Sequence, residues 1–177
     1  YQSRHVERKS KNYRFTHPLN NEYPYMIELF ARKPAELELL PDARIVPVEP
    51  LDSDYHLSGI LLNDDYYNFL LDGRQEVAGV SVLDALHMIP LKAYAWQQLT
   101  QNPSETEQHV EENIRKHRAD ILQLADLIAD TTLSLEGDIA SSMGDFIESL
   151  RNEPETLSDN MDNESLAQRL KQIYTIP

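Results

Sequence analysis

The chain contains no cysteine. A disulfide-stapled scaffold and a thiolate metal centre are therefore excluded, and a reducing compartment is permitted. Glycine is scarce, five in 177 residues, and none forms a Gly-rich turn of the kind that cradles phosphate. No apolar run approaches the length of a membrane span, and the first residues lack the apolar core of a signal peptide. These absences predict a cytoplasmic protein with no membrane partner. Local Ser-His-Asp patterns are missing as well. His87, His109 and His117 are too scattered for a zinc site.

Positive charge is also short, and its distribution is uneven. The net charge is −14, yet Arg4, Arg8, Lys9, Lys11 and Arg14 face only Glu7 within residues 1–17, a local balance of +4 that leaves −18 on the remaining chain. An acidic body repels duplex DNA at long range, so a broad duplex-binding role is excluded. The basic opening stretch suits either a phosphate or RNA contact or a solvated terminus. The chain opens on Tyr1-Gln2-Ser3-Arg4 without an initiator Met, which reads as the middle of a longer protein.

Apolar periodicity predicts strands first and helices afterwards, an α+β organisation. Asn12–Thr16 and Tyr23–Ala31 read as strands joined by the turn residues His17-Pro18-Leu19-Asn20-Asn21. The second of these is apolar on both alternation sets, which predicts a central strand covered on both faces. Ala43–Val48 is a short strand that Pro47 confines to an edge. Asn63-Asp64-Asp65 caps a short helix, Tyr66–Leu71, closed by Gly73. Val77–Val82 has strand character with Gly79 as a bulge inside it. Pro90 fits the first turn of a helix to about Leu99. A long amphipathic helix follows on Val110, Ile114, Ile121, Leu124, Ala125 and Ile128, then one holding Ile139–Leu150 and a last one at Leu166–Ile173. The expected organisation is a small mixed or antiparallel sheet in residues 1–82 and a helical region in 83–177, its last helix set off by an acidic linker at about 152–163.

Two lone charges stand out. Lys92 is the only formally charged residue between Ala85 and Ser104, among Ile89, Leu91, Ala93, Tyr94, Ala95 and Trp96. An ammonium there must snorkel to water or find an anion, so it is either a salt-bridged structural lysine or a ligand for phosphate or carboxylate. Glu28 is the only acid between Tyr23 and Lys33, at mid-strand. It either faces solvent or pairs with Arg14, or it serves a metal or catalytic centre. A Glu28–Lys92 pair across a cleft serves both readings. A third cluster is Arg115-Lys116-His117-Arg118-Ala119-Asp120, where Lys116 and Asp120 share a helix side and His117 aligns with the apolar face.

Several blocks in order carry a resemblance: Tyr13-Arg14-Phe15-Thr16 with Tyr23-Pro24-Tyr25-Met26-Ile27-Glu28-Leu29-Phe30-Ala31-Arg32-Lys33-Pro34, then Leu57-Ser58-Gly59-Ile60-Leu61-Leu62-Asn63-Asp64-Asp65-Tyr66-Tyr67, Ile89-Pro90-Leu91-Lys92-Ala93-Tyr94-Ala95-Trp96, and Lys116-His117-Arg118-Ala119-Asp120-Ile121. Over residues 13–128 the chain resembles the later half of nucleotidyltransferase-like proteins of the DNA polymerase β superfamily, nearest the AbiEii-like abortive-infection toxin type. The resemblance implies a small mixed sheet followed by helices. It also implies metal-dependent transfer of a nucleotidyl group from an NTP to RNA or protein, and an antitoxin partner. Glu28 would be a catalytic carboxylate and Mg²⁺ ligand. Lys92 would be catalytic and nucleotide-binding, and Lys116, His117 and Asp120 would lie at the nucleotide.

The family's Gly-Ser turn and Asp-x-Asp strand have no counterpart here. Asp52-Ser53-Asp54 has the letters in the wrong place, so the signature is expected upstream of Tyr1. One carboxylate cannot hold a two-metal site. The competing expectation is a non-catalytic interaction protein whose acidic helices past Glu105 bind a basic partner, with Glu28 and Lys92 structural.

Overall fold

The computed structural model describes residues 2–3, 14–32, 45–47, 58–101, 110–152 and 162–177. The basic residues Arg4, Arg8, Lys9 and Lys11, the Asp52-Ser53-Asp54 triplet, the acids Glu105 and Glu107, and most of the expected acidic linker lie outside them. The chain forms two compact units, Tyr1–Tyr67 and Asn68–Pro177. Strands dominate the first and helices the second, the α+β order that the periodicity predicts.

In the first unit β1 (Gln2–Ser3), β2 (Arg14–Thr16) and β3 (Met26–Glu28) form an antiparallel sheet in the order β1-β2-β3. The β2–β3 loop is held by local polar chemistry. Asn20 accepts from the Glu22 N–H at 3.0 Å, and the Tyr25 ring packs edge-on against His17 with centroids 5.1 Å apart. After Leu29 the chain enters a second sheet: β4 (Phe30–Arg32) runs parallel to β6 (Ser58–Leu62), and β5 (Ile45–Pro47) lies antiparallel on the other side of β6. Pro47 is thus on an edge strand, where its missing N–H leaves no gap in a central ladder.

The Tyr23–Ala31 expectation needs correction. The segment is not one covered central strand but two short ones, each at the edge of a different sheet among the described residues, and Tyr25, Met26, Ile27 and Phe30 are all exposed. Residue-type alternation cannot separate a strand covered on both faces from an exposed one that happens to be apolar.

The helix α1 (Asp64–Asp72) starts where Asn63 Oδ1 accepts from the Tyr66 N–H at 2.9 Å. It ends in the second unit, where Gly73 leads into β7 (Arg74–Val77) and β8 (Val80–Leu83). These two strands pair as an antiparallel hairpin across Ala78-Gly79, both left-handed with φ of 52° and 79°. Gly79 is therefore in a tight primed turn, not in a bulge, and Val77–Val82 is not one strand.

Four helices complete the second unit: α2 (Ala85–Gln101), α3 (Val110–Leu127), α4 (Gly137–Asn152) and α5 (Asn163–Ile173). The short strands β9 (Leu133–Ser134) and β10 (Tyr174–Thr175) pair in parallel. Helix α2 packs on α3 and α4, and α4 packs on α5. The core is built from Ile89, Ala93 and Trp96 of α2, Ile121 and Ala125 of α3, Met143, Phe146 and Leu150 of α4, and Leu166, Leu170 and Ile173 of α5. Trp96 meets Phe146 edge-to-face at 5.2 Å.

Helix α2 starts earlier than Pro90 predicts. Asp84 is its cap, accepting from the His87 N–H at 2.8 Å, so Pro90 sits inside the helix rather than in its first turn. Proline there has no N–H for the Leu86 carbonyl four residues back. The Tyr174 hydroxyl donates to that carbonyl at 2.7 Å instead. A donor from the far end of the unit thus satisfies the acceptor that proline orphans, which is what lets the helix run through it.

Candidate functional site

Glu28 is the last residue of β3 and stands directly across the ladder from Arg14 of β2. Side chains opposite one another in an antiparallel pair share a face, and the Arg14 guanidinium reaches the Glu28 carboxylate at 2.6 Å. Both are half-buried, so the pair is partly shielded from water. In the same unit Arg32 holds Asp64 at 2.7 Å on the surface. The Arg32 hydrogen bond keeps the Asp64 carboxyl below its ordinary range.

Lys92 lies in the second unit, on α2 one turn before Trp96. Its ammonium donates to Asp120 of α3 at 2.6 Å, and both partners are about three-quarters buried, with 23% and 27% of their side-chain surface exposed. The anion that an ammonium in this apolar stretch requires is therefore supplied by the neighbouring helix. Lys116, one turn before Asp120 on α3, is exposed, and His117 is half-buried. The structure thus brings together two of the nominated residues, Lys92 and Asp120. It places Glu28 in the other unit, engaged with Arg14.

Arg118, not His117, is the most deeply placed polar residue of α3, 3% exposed, with its guanidinium 6.0 Å from the centre of the Trp96 ring. Its position three and four residues before the core residues Ile121 and Leu122 was legible as part of the inward stripe. A second polar group joins α2 to α4: the buried Gln97 donates to the exposed Asp145 at 2.5 Å and accepts from the buried Ser142 at 2.9 Å, while Ser142 also reaches the Asp138 carbonyl. At the head of α2, Asp84 also contacts His87 Nδ1 at 2.8 Å, and Phe69 covers the imidazole with ring centres 4.5 Å apart. Only the third of these groupings has a local signal, an acid three residues before a histidine at a helix start. The first two depend on the packing of α2 against α3 and α4.

On its exposed side α4 carries Asp138, Ser141, Asp145 and Glu148, a single stripe at helical spacing. Among the described residues no three His, Asp or Glu side chains gather as a metal would need. No helix among them is long and apolar enough to cross a membrane. Comparisons with protein-family models, with curated proteins and with solved structures give no match to this chain.

Proposed function

We propose that this chain is a non-catalytic interaction protein whose helical unit binds a basic polypeptide. The observation that carries the reading is that both singled-out charges are already neutralised within their own units, Glu28 by Arg14 and Lys92 by Asp120. Asp138, Asp145 and Glu148 of α4 stand along one exposed stripe. A half-buried ion pair fixes packing, and an exposed row of like charge steers an oppositely charged partner. The net charge of −14 extends that field.

The test is a calorimetric titration with an arginine-rich peptide at low and at physiological ionic strength. Binding is expected, weakened by salt and lost when Asp138→Lys and Glu148→Lys reverse the stripe. A peptide bound equally well by the reversed variant would refute the reading.

The second reading keeps nucleotidyl transfer from an NTP to RNA or protein, with an antitoxin as partner. It draws support from the meeting of Lys92 and Asp120, two residues that the polymerase β-type resemblance assigns to the nucleotide. On that reading Lys92 exchanges Asp120 for a phosphate, and Lys116 and His117 lie one turn away on α3. Glu28 in its Arg14 pair offers one carboxylate, which does not fit a two-metal Mg²⁺ site without further carboxylates from outside the described residues. An NTP affinity that falls in Lys92→Ala favours this reading over the first, and no NTP binding by the intact protein removes it.

A further inference from the structure

In the β7–β8 hairpin of the helical unit every residue from Arg74 to Val82 is exposed. Val77, Val80 and Val82 share one face with Gln75, and the three valines expose 56%, 61% and 38% of their surface. A two-stranded hairpin with neither face covered is marginal in water.

The pairing tells which backbone groups of β7 are spoken for. Val77 and Val80 flank a two-residue turn and bond each other, so alternation turns the N–H and C=O of Val77 and Gln75 towards β8. Those of Arg74 and Glu76 turn outward. They meet no further strand among the described residues.

We propose that this edge pairs with the same edge of a second copy, antiparallel, about a twofold axis through Gln75. That register sets Arg74 of one copy opposite Glu76 of the other, twice by symmetry. Both positions are the outward-bonding ones, so each of the two pairs exchanges both of its N–H···O bonds in the narrow geometry. The side chains of Arg74 and Glu76 lie on one face, since they are two residues apart, and each meets its opposite charge across the new ladder. An edge guarded by charges of one sign would repel its own copy. This edge carries one of each, at the spacing that self-pairing needs. The outward positions of β8, Ser81 and Leu83, hold no such complement, which selects β7. The result is a sheet in the order β8-β7-β7-β8 with the valine faces of both copies on one side.

Sedimentation equilibrium over a concentration series tests the pairing, with unchanged far-ultraviolet circular dichroism as the check on folding. The wild-type chain is expected to dimerise reversibly. Arg74→Glu or Glu76→Arg alone should raise the dissociation constant at least about tenfold, because each turns both cross-strand pairs repulsive. The double exchange R74E/E76R should restore it to within about threefold. Because the chain has no cysteine, Gln75→Cys adds a single thiol at the axis. Its partner there is the non-hydrogen-bonded one, at a Cα separation of about 4.5 Å that suits a disulfide. Mild oxidation should cross-link Gln75→Cys and leave Ser81→Cys without a covalent link. A wild-type chain that stays monomeric at every concentration would overturn the proposal. So would a double exchange that restores nothing, or a Ser81→Cys variant that links as fast as Gln75→Cys.

Discussion

Tyr174→Phe isolates one hydroxyl with one task. Tyr174 is 2% exposed, and its hydroxyl is the donor to the Leu86 carbonyl that Pro90 leaves without its helical partner. Deleting the oxygen keeps the ring and strands the carbonyl, which is expected to cost about 1–3 kcal/mol. The dependence on Pro90 makes the reasoning testable beyond a single loss. Pro90→Ala restores an N–H that can reach Leu86, so in that background the Tyr174 hydroxyl becomes partly redundant. Tyr174→Phe should then cost roughly 1 kcal/mol less than in the wild-type chain, a coupling the double-mutant cycle isolates from the packing change at residue 90.

Urea denaturation followed by tryptophan fluorescence is the assay, because Trp96 is the single tryptophan and lies in the core of the same unit. Effects that add to within about 0.3–0.5 kcal/mol would refute the account of how the helix carries its proline. An alkaline limb gives an independent reading. Burial, and secondarily the Asp84 charge, push the Tyr174 phenol well above its ordinary value. The folded phenol thus stays protonated while the unfolded one ionises near about 10. The stabilisation is complete below that pH and is lost as pH rises above it, so the gap between wild type and Tyr174→Phe should narrow there.

Three further outcomes are expected. A Cβ at Gly73 would lie 2.2 Å from His87 Cγ; Gly73→Ala should destabilise by about 1–3 kcal/mol in chemical denaturation. Adding His87→Gly, which removes the Cβ as well as the ring, should recover part of that loss in a double-mutant cycle, and no coupling between the two sites would show that the clash is elsewhere. Lys92→Met should destabilise by roughly 1–2 kcal/mol by leaving Asp120 half-buried and alone, whereas Lys92→Met with Asp120→Leu should be close to neutral; a double variant no better than the single would count against the pair as a packing device. Asp162 caps α5 by accepting from the Ser165 N–H at 2.7 Å, a bond that holds its carboxyl below the ordinary range. Asp162→Ala should lower Tm at neutral pH, and the difference should vanish as acid protonates the wild-type carboxyl; a gap that persists at the acid end would contradict the cap.

Much of the helical half was legible in the sequence. Helices α3, α4 and α5 fall where periodicity puts them, because each buries one apolar stripe and the rest of its surface is free to be polar. Strands β2, β3 and β5 were legible in position, but β6 was not, Val77–Val82 is split by the Ala78-Gly79 turn, and Tyr25, Met26, Ile27 and Phe30 are apolar and still exposed. The start of α2 was misread because Pro90 advertises a first turn, while the real start signal is Asp84 with His87 three residues later. The expectation that Lys92 needs an anion follows from solvation alone, but its partner, 28 residues on, is fixed only when α2 meets α3. Arg118, three residues before Ile121, lies on the inward stripe of α3 despite its charge. Glu28 carried Arg14 as one of its two readings, and cross-strand register makes the match.

The contact between Tyr174 and Leu86 also bears on the order in which the helical unit forms. The two residues are 88 positions apart in the chain, so closing this loop costs chain entropy that no local helix returns. Helix α2 can pack on α3, and α4 on α5, early and on short separations. The final docking of β10 beside β9, and the donor that α2 awaits at its proline, belong to the late, high-contact-order side of the folding barrier. The structure therefore implies a unit whose neighbouring helix pairs assemble first and whose two ends are joined last.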